Sequence, residues 1–566
     1  MLLLSLLKHK ITIQVMKKRF LLITFTLLLT NYLFAQIDES KLNKIDSIFL
    51  DWNTPNHPGG AVEIAYKGTP IFNSAYGLAS LEYLVPNTTG TRFNIASVSK
   101  QFSAMGIVLL HLEGKLSVDD DIRKYMPELP DFGETITIRH MLHHTSGLRS
   151  LHAMLGLAGW RGDDSRTNED LDRFMLKQKE LNFKPGEEYL YCNTGFMFLA
   201  NIIEKVTGEN FVDWMQKSVF MPLGMLDTYV EDEYNRIVPN NATSYDGSKK
   251  AGFKREVEYW GYIGSGNMHS TTSDLTKWMN NFITPQEGWA DAFKMMQTVD
   301  NFNNGKPNKY AFGVNVDAYK GVKMIQHGGS IGGFRSIAVA FPDKEISIII
   351  LTNFSTSGTS NLAQKVSDIL FDLPKNYEPI VQVKDIDIAS DELVKYEGSY
   401  WNDKDNYVQK IFVENDTLKY ARGNRSGQAI IPIAKDQFQL VGSTSKITYT
   451  FDTKQRTLTV KVDDEEPVTS TKFDTAEPTA KELQNYIGEF YSPELETSYW
   501  ISVVDNKLQI HHPRHGDSEV EYIKKDVLNA KYPISIIKYK KDKRGKVTGV
   551  YISNGRARNV WFEKRS

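Results

Sequence analysis

Ala96-Ser97-Val98-Ser99-Lys100-Gln101-Phe102-Ser103-Ala104-Met105-Gly106-Ile107-Val108-Leu109-Leu110-His111-Leu112-Glu113-Gly114 is the stretch on which the reading of this chain turns. From Gln101 to Glu113 the apolar positions nearly encircle a helix that Gly114 can end, so the segment is expected to lie buried at the centre of a domain. Ser97 and Lys100 stand at its start, at a spacing that puts both side chains on one helical face. A lysine so placed can accept the serine proton. It must be neutral when it does so, and burial or neighbouring cations achieve this by lowering its pKa from about 10.4. The helix N-terminus adds positive potential and free N–H groups for a developing oxyanion.

Two further motifs follow. Tyr191-Cys192-Asn193 directly precedes a second apolar helix, expected over 194–207 before Gly208. A phenol and an amide at this spacing can exchange a proton with a leaving group and orient a substrate. His327-Gly328-Gly329-Ser330, continued by Ile331-Gly332-Gly333, precedes two strands expected between Ser336 and Asn353 and joined at Pro342-Asp343-Lys344. Glycine there lets a substrate backbone approach a strand edge, and the Ser330 N–H can serve as an oxyanion donor. Residues 59–77 read as a β-hairpin turning at Lys67-Gly68-Thr69. Strands flanking helices leave α+β and α/β both open.

In the order S-x-x-K, Y-x-N, H-G-G, these motifs resemble the penicillin-recognising serine hydrolases: class C β-lactamases, D-Ala-D-Ala carboxypeptidases, D-aminopeptidases and related esterases. Arg92-Phe93-Asn94-Ile95-Ala96, His143-His144-Thr145-Ser146-Gly147-Leu148, and the run from Gly266 to Trp278 fit the same resemblance, which covers about residues 40 to 370. It implies an α+β β-lactamase/transpeptidase-like catalytic domain over 36–373, an antiparallel sheet flanked by helices. It further implies Ser97 as acyl-accepting nucleophile and Lys100 and Tyr191 as the general-base pair. Asn193, His327, Gly328, Gly329 and Ser330 would hold substrate, with the Ser97 and Ser330 amides as oxyanion hole. The implied substrates are D-amino-acid peptides or amides, small esters and β-lactams, with no cofactor and no metal.

Two positions depart from the commonest pattern of that family. His327 stands where many members carry the lysine of K-T-G, which argues against efficient β-lactam hydrolysis. Because an unperturbed imidazole titrates near about 6.5, His327 is expected to carry charge at about pH 5.5 and lose it by about pH 8, giving a pH-dependent preference for anionic substrates. Cys192 occupies a usually small hydroxylic position and is expected to pack beside the site rather than react. His140 and His144 share the spacing of a helical metal pair, but no glutamate follows His140, so the zinc-protease pattern fails.

Beyond about Asp372 the texture becomes short alternating segments rich in Tyr, Val, Ile and Thr, after an expected linker at 374–390. Glu392-Leu393, Tyr396, Gly398 and Leu418 recur as Glu482-Leu483, Tyr486, Gly488 and Leu508, always 90 positions later. Each copy, 391–476 and 477–566, is an all-β unit able to close as a small barrel, although one barrel built from both copies is also compatible with the pattern. The copies resemble the lipocalin-like modules appended to some D-aminopeptidases, where such a domain reaches towards the active-site mouth or mediates homo-oligomer assembly. A chain ending near Asp372 is expected to fold and keep its nucleophile. The charge run from Lys538 to Lys546 reads as a solvated hairpin.

At the other end, Met16-Lys17-Lys18-Arg19 precedes an apolar run from Phe20 to Phe34 closed by Ala35, the layout of a cleavable export signal over 1–35. Met16 is the expected true start. The only cysteine, Cys192, rules out both a lipoprotein anchor and an internal disulfide, so the mature protein is expected to be periplasmic or secreted without a stable membrane anchor. The 566 residues suggest about three or four domains. Hydrophobic residues at 41% and charged residues at 24% exclude a mainly disordered chain. With 67 Lys+Arg against 69 Asp+Glu the net charge of −2 gives no field to draw nucleic acid. Rival readings are a non-catalytic penicillin-binding or peptidoglycan-fragment receptor and an adhesion or scaffold protein using its β modules. Steady-state turnover separates them from a hydrolase.

Overall fold

The computed structural model describes residues 38–374 and 388–565, apart from short breaks at 405, 423–425, 442, 444–445, 464–465 and 475–477. The expected export signal and most of the expected linker lie outside the described residues. Six antiparallel strands form the central sheet: β1 (Gly60–Tyr66), β2 (Thr69–Tyr76), β3 (Asn315–Tyr319), β4 (Val322–Ile331), β5 (Phe334–Phe341) and β6 (Ile346–Thr352), in the order β3-β4-β5-β6-β1-β2. β1 pairs with β6 from Gly60↔Thr352 to Tyr66↔Ile346, so the first part of the domain is sewn to its last strand.

β6 is buried along its whole length, with an apolar run from Ile348 to Leu351, because both of its faces are covered. Ile348 and Ile350 pack beneath helices α1 (Glu39–Phe49) and α5 (Thr359–Leu370) through Ile45, Phe49, Val366 and Leu370. Ile349 and Leu351 face the larger core built around α2 (Lys100–Leu112), α3 (Asn193–Thr207) and α4 (Thr272–Asn280). α2 is buried almost all round, as its sequence demands, and Gly114 follows it at φ 72°. A 3₁₀ turn over Ala96–Ser99 leads into it.

The tail forms two closed eight-stranded antiparallel barrels rather than one. The first runs from Gly398–Asn402 to Val468–Phe473 and the second from Gly488–Ser492 to Ala557–Lys564. The repeat has a structural purpose: Tyr396 donates to Asp436 at 2.7 Å and Tyr486 to Asp526 at 3.4 Å, pinning the equivalent entry segment of each barrel to its wall. The lysine run from 538 to 546 spans a hairpin, with Lys538 lying over the Trp401 ring of the first barrel.

The two barrels are attached differently. The first has its own core around Tyr400, Phe438 and Phe451. The second shares a continuous apolar cluster with the catalytic domain, one that takes in Phe490, Tyr499 and Phe562 of the barrel as well as Leu151 and Leu155. Arg149 Nη1 meets Glu494 Oε1 at 2.6 Å with the two side chains 1% and 5% exposed, and Tyr499 Oη donates to Leu157 O at 3.0 Å. Gly156 is held against this barrel so closely that a Cβ there would lie 3.2 Å from Tyr532 Oη. Cutting near Asp372 would therefore strip the cover from a buried arginine and an apolar face, which weighs against the separability expected of the tail.

Candidate active site

The backbone immediately before Ser97 is strained. Ala96 takes φ 49°, a left-handed conformation costly for a residue with a Cβ, and Asn94 Oδ1 accepts its N–H at 2.8 Å. This turn lifts Ser97 out of the core while Lys100, one turn on, points into it. Lys100 is wholly buried, yet its Nζ donates to Ser97 Oγ at 3.2 Å and to the Ser265 carbonyl. Among the described residues it has no carboxylate partner. Burial, and secondarily the Arg556 cation, hold its pKa well below the ordinary lysine value. The structure thus disfavours the charged amine, the direction that the sequence reading requires.

Tyr191 precedes α3, and Asn193 is the helix's first residue, with Cys192 at the N-cap. Lys100 Nζ lies 4.8 Å from the Tyr191 ring centre. The Tyr191 hydroxyl completes no hydrogen bond of ordinary geometry, nor does Asn193 Oδ1. Burial pushes the phenol pKa far up, opposed by the nearby Ser97 hydroxyl, so Tyr191 stays protonated. Its ring packs on His144, whose φ of 57° and Nδ1 bond to the Cys192 N–H at 3.1 Å fix it behind the site. His140 caps its own helix by accepting the Thr137 N–H at 3.2 Å, so it and His144 serve separate structural bonds. Cys192 donates to Leu148 O at 3.3 Å, and burial raises its thiol pKa.

β4 brings His327, Gly328, Gly329 and Ser330 alongside the Ala96–Ser99 turn. A Cβ at Gly329 would fall 2.4 Å from Ile95 O and 3.0 Å from Ala96 Cβ, so only glycine lets the strand approach Ser97 this closely. Ser336 Oγ on β5 donates to Ile95 O at 2.7 Å and clamps the same turn.

His327 requires a correction. It is buried, Nδ1 bonded to Gly328 O at 2.6 Å and Nε2 to the Tyr310 hydroxyl at 3.0 Å. Burial, then Lys100, lowers its pKa to about 3. It is neutral across the physiological range and cannot be the titrating cation expected from its identity.

The cation comes instead from the second barrel. Arg556 sits at the turn between strands Val547–Asn554 and Ala557–Lys564, its guanidinium 4.7 Å from the Tyr191 ring centre. It lines a cavity of about 780 Å³ together with Ser97, Tyr191, His327, Arg335 and Asn361. One trace of it exists in the sequence: the second repeat carries Asn554-Gly555-Arg556 where the first, 90 positions earlier, carries Asp464-Glu465-Glu466, opposite in charge.

These features coincide with a known family. The beta-lactamase family model matches residues 45–370. The chain belongs to this family and is a serine hydrolase. It is 27% identical over 437 residues to "Penicillin-binding protein 4*" of Bacillus subtilis (strain 168), covering 73% of this chain and 94% of that protein. It is 28% identical to a "D-aminopeptidase" of Gluconobacter oxydans (strain 621H), covering 54% of this chain but only 58% of that protein. In fold it is similar to an octameric penicillin-binding protein homologue from Pyrococcus abyssi, with a TM-score of 0.53 and 24% identity, covering 76% of this chain and 99% of that one.

Proposed function

We propose that this beta-lactamase-family protein is an exported hydrolase that works through an acyl-enzyme at Ser97, on D-amino-acid peptides or amides whose leaving residue carries a free carboxylate. The observation that carries the reading is the buried, depressed-pKa Lys100 within 3.2 Å of Ser97 Oγ. Neutral Lys100 takes the hydroxyl proton as Oγ bonds to the scissile carbonyl carbon, and the oxyanion is received by the Ser97 and Ser330 N–H groups. Tyr191, still protonated, gives its proton to the departing amine as the C–N bond breaks. Water then releases the acyl group by the same route in reverse.

Tyr191 lines the larger cavity and not the smaller one beside it, so the leaving group belongs in the larger. There Arg556 and Arg335 suit a carboxylate, the role His327 cannot fill. The D-aminopeptidase similarity supports a D-configured peptide or amide, and β-lactams are proposed as slow acylating agents. The basic and apolar N-terminal stretch supports action outside the cytoplasm. Assembly of copies through the barrels is compatible with the octameric relative.

Steady-state release of D-alanine from an acyl-D-alanine, compared with ammonia release from a D-aminoacyl amide, tests the reading. Sustained turnover favouring the free carboxylate is expected. One acylation event followed by silence would mark a receptor instead.

A further inference from the structure

Beside the leaving-group cavity lies a second cavity of about 250 Å³, which shares Ser97, Asn193, Ser330 and Arg556 with it. Given the proposed function, on which this inference rests, it takes the acyl part of the substrate. Its remaining wall is unusual. Arg166, 6% exposed, lines it with its guanidinium 4.7 Å from the Trp260 ring centre. Arg166 bonds only neutral groups: His152 Nδ1 at 3.1 Å and Arg161 O at 3.0 Å, and among the described residues no carboxylate pairs with it. A buried guanidinium without a counter-charge is costly, and proteins keep one where a charged partner arrives from elsewhere.

The surrounding groups are donors as well. Arg166 Nε, Trp260 Nε1 and Ser265 Oγ are buried without a partner in the protein, and all three residues line this one cavity. His152 accepts from Arg166 through Nδ1, which leaves Nε2 carrying the proton as a further donor. Burial and the Arg166 charge lower its pKa to about 3, so it offers a neutral N–H and not a second cation. Asp164 and Asp170, whose charges reach Arg166 from a distance, are outside the lining and engaged elsewhere, Asp164 Oδ1 with Arg514 at 2.6 Å and Asp170 Oδ2 with the Thr167 N–H at 2.8 Å; Glu258, also outside it, accepts from Ser244 Oγ at 2.7 Å. The set offers hydrogens and positive charge, the complement of an anion, and disfavours a free ammonium.

We propose that this cavity is a specificity site for an acyl residue carrying a carboxylate a few bonds from the scissile carbonyl, with Arg166 as the group that pairs with it. Binding would satisfy Arg166, and the orphaned Trp260 and Ser265 donors would converge on the same oxygens. The site would reject an acyl residue whose polar end is cationic.

The test uses the full-length protein and two alkyl fluorophosphonates of equal chain length, one ending in a carboxylate and one in the carboxamide. Each reacts by forming Ser97 Oγ–P as P–F breaks and fluoride leaves, so no assumption about the natural leaving group enters. The expected result is at least about tenfold faster labelling of Ser97 by the carboxylate probe, in line with a charge-assisted bond to a buried group. That ratio should fall towards one in Arg166→Gln and be largely restored in Arg166→Lys, with melting curves confirming that the variants are folded. Equal rates in the wild type would overturn the proposal and leave the serine-hydrolase reading standing. A preference abolished by Arg556→Gln but kept by Arg166→Gln would also overturn it, assigning the carboxylate to Arg556, which lines both cavities, and not to Arg166. Failure of both probes to label Ser97 would overturn the underlying reading and the proposal with it.

Discussion

The Arg556 guanidinium lies 4.7 Å from the centre of the Tyr191 ring, although the two residues belong to different domains. The catalytic domain thereby borrows a cation from the second barrel, in the wall of the cavity that Ser97 lines. Arg556→Gln should lower kcat/KM for substrates with a leaving-group carboxylate by about ten- to a hundredfold. It should change a neutral ester far less. Parallel kinetics on an acyl-D-alanine and its methyl ester check this, and equal losses on both would show that Arg556 merely supports the fold.

Glu494→Gln should be strongly destabilising. It leaves Arg149, 1% exposed, with only the exposed Glu180 carboxylate at 3.8 Å as counter-charge, and breaking a buried pair in this way typically costs up to about 3 to 5 kcal/mol. Burial raises the Glu494 pKa while Arg149 opposes it, so the pair is strained by desolvation even when intact. Denaturant unfolding reads the loss directly. A protein ending near Asp372 should show a larger defect still, with exposed apolar surface around Leu151–Leu157 and dye binding to match.

Acid should destabilise the protein early. His152 and His327 have pKa values lowered to about 3, chiefly by burial, and the His144 pKa is held well below the ordinary value. Between about pH 6.5 and pH 3 the unfolded chain binds protons at these sites that the folded chain refuses, so stability falls as pH drops through that window. Melting temperature against pH should decline from about pH 6 downward, and His152→Asn should shallow the slope. The ratio of kcat/KM for an anionic to a neutral substrate should stay flat from about pH 5.5 to 8 as far as His327 governs it.

Thiol reagents should leave the native enzyme active. Cys192 is 2% exposed with its thiol pKa raised by burial, whereas Ser97 faces the cavity. Iodoacetamide should modify Cys192 only after unfolding, as mass spectrometry of native and denatured samples will show.

Local chemistry was readable in the chain and distant chemistry was not. Ser97 and Lys100 are three residues apart on one helical face, so their meeting needed no tertiary information. The barrels declared themselves through the recurrence of Tyr396 as Tyr486, each tied to an aspartate in its own barrel. The identity of His327 was visible but its charge was not, because protonation depends on Tyr310, Lys100 and burial that only the fold supplies. Arg556 and Arg166 join the site from remote segments, by the docking of a barrel and by a loop packed on Trp260. Neither placement follows from a spacing rule.

The most direct test of the account is mass spectrometry of the protein quenched during turnover of a slow ester, followed by peptide mapping. The account predicts an acyl adduct on Ser97, absent in Ser97→Ala, together with a loss of kcat of about 10³ to 10⁶ in that variant. Lys100→Met should keep the fold and lose the adduct. Undiminished hydrolysis by Ser97→Ala, or an adduct on any other residue, would contradict it.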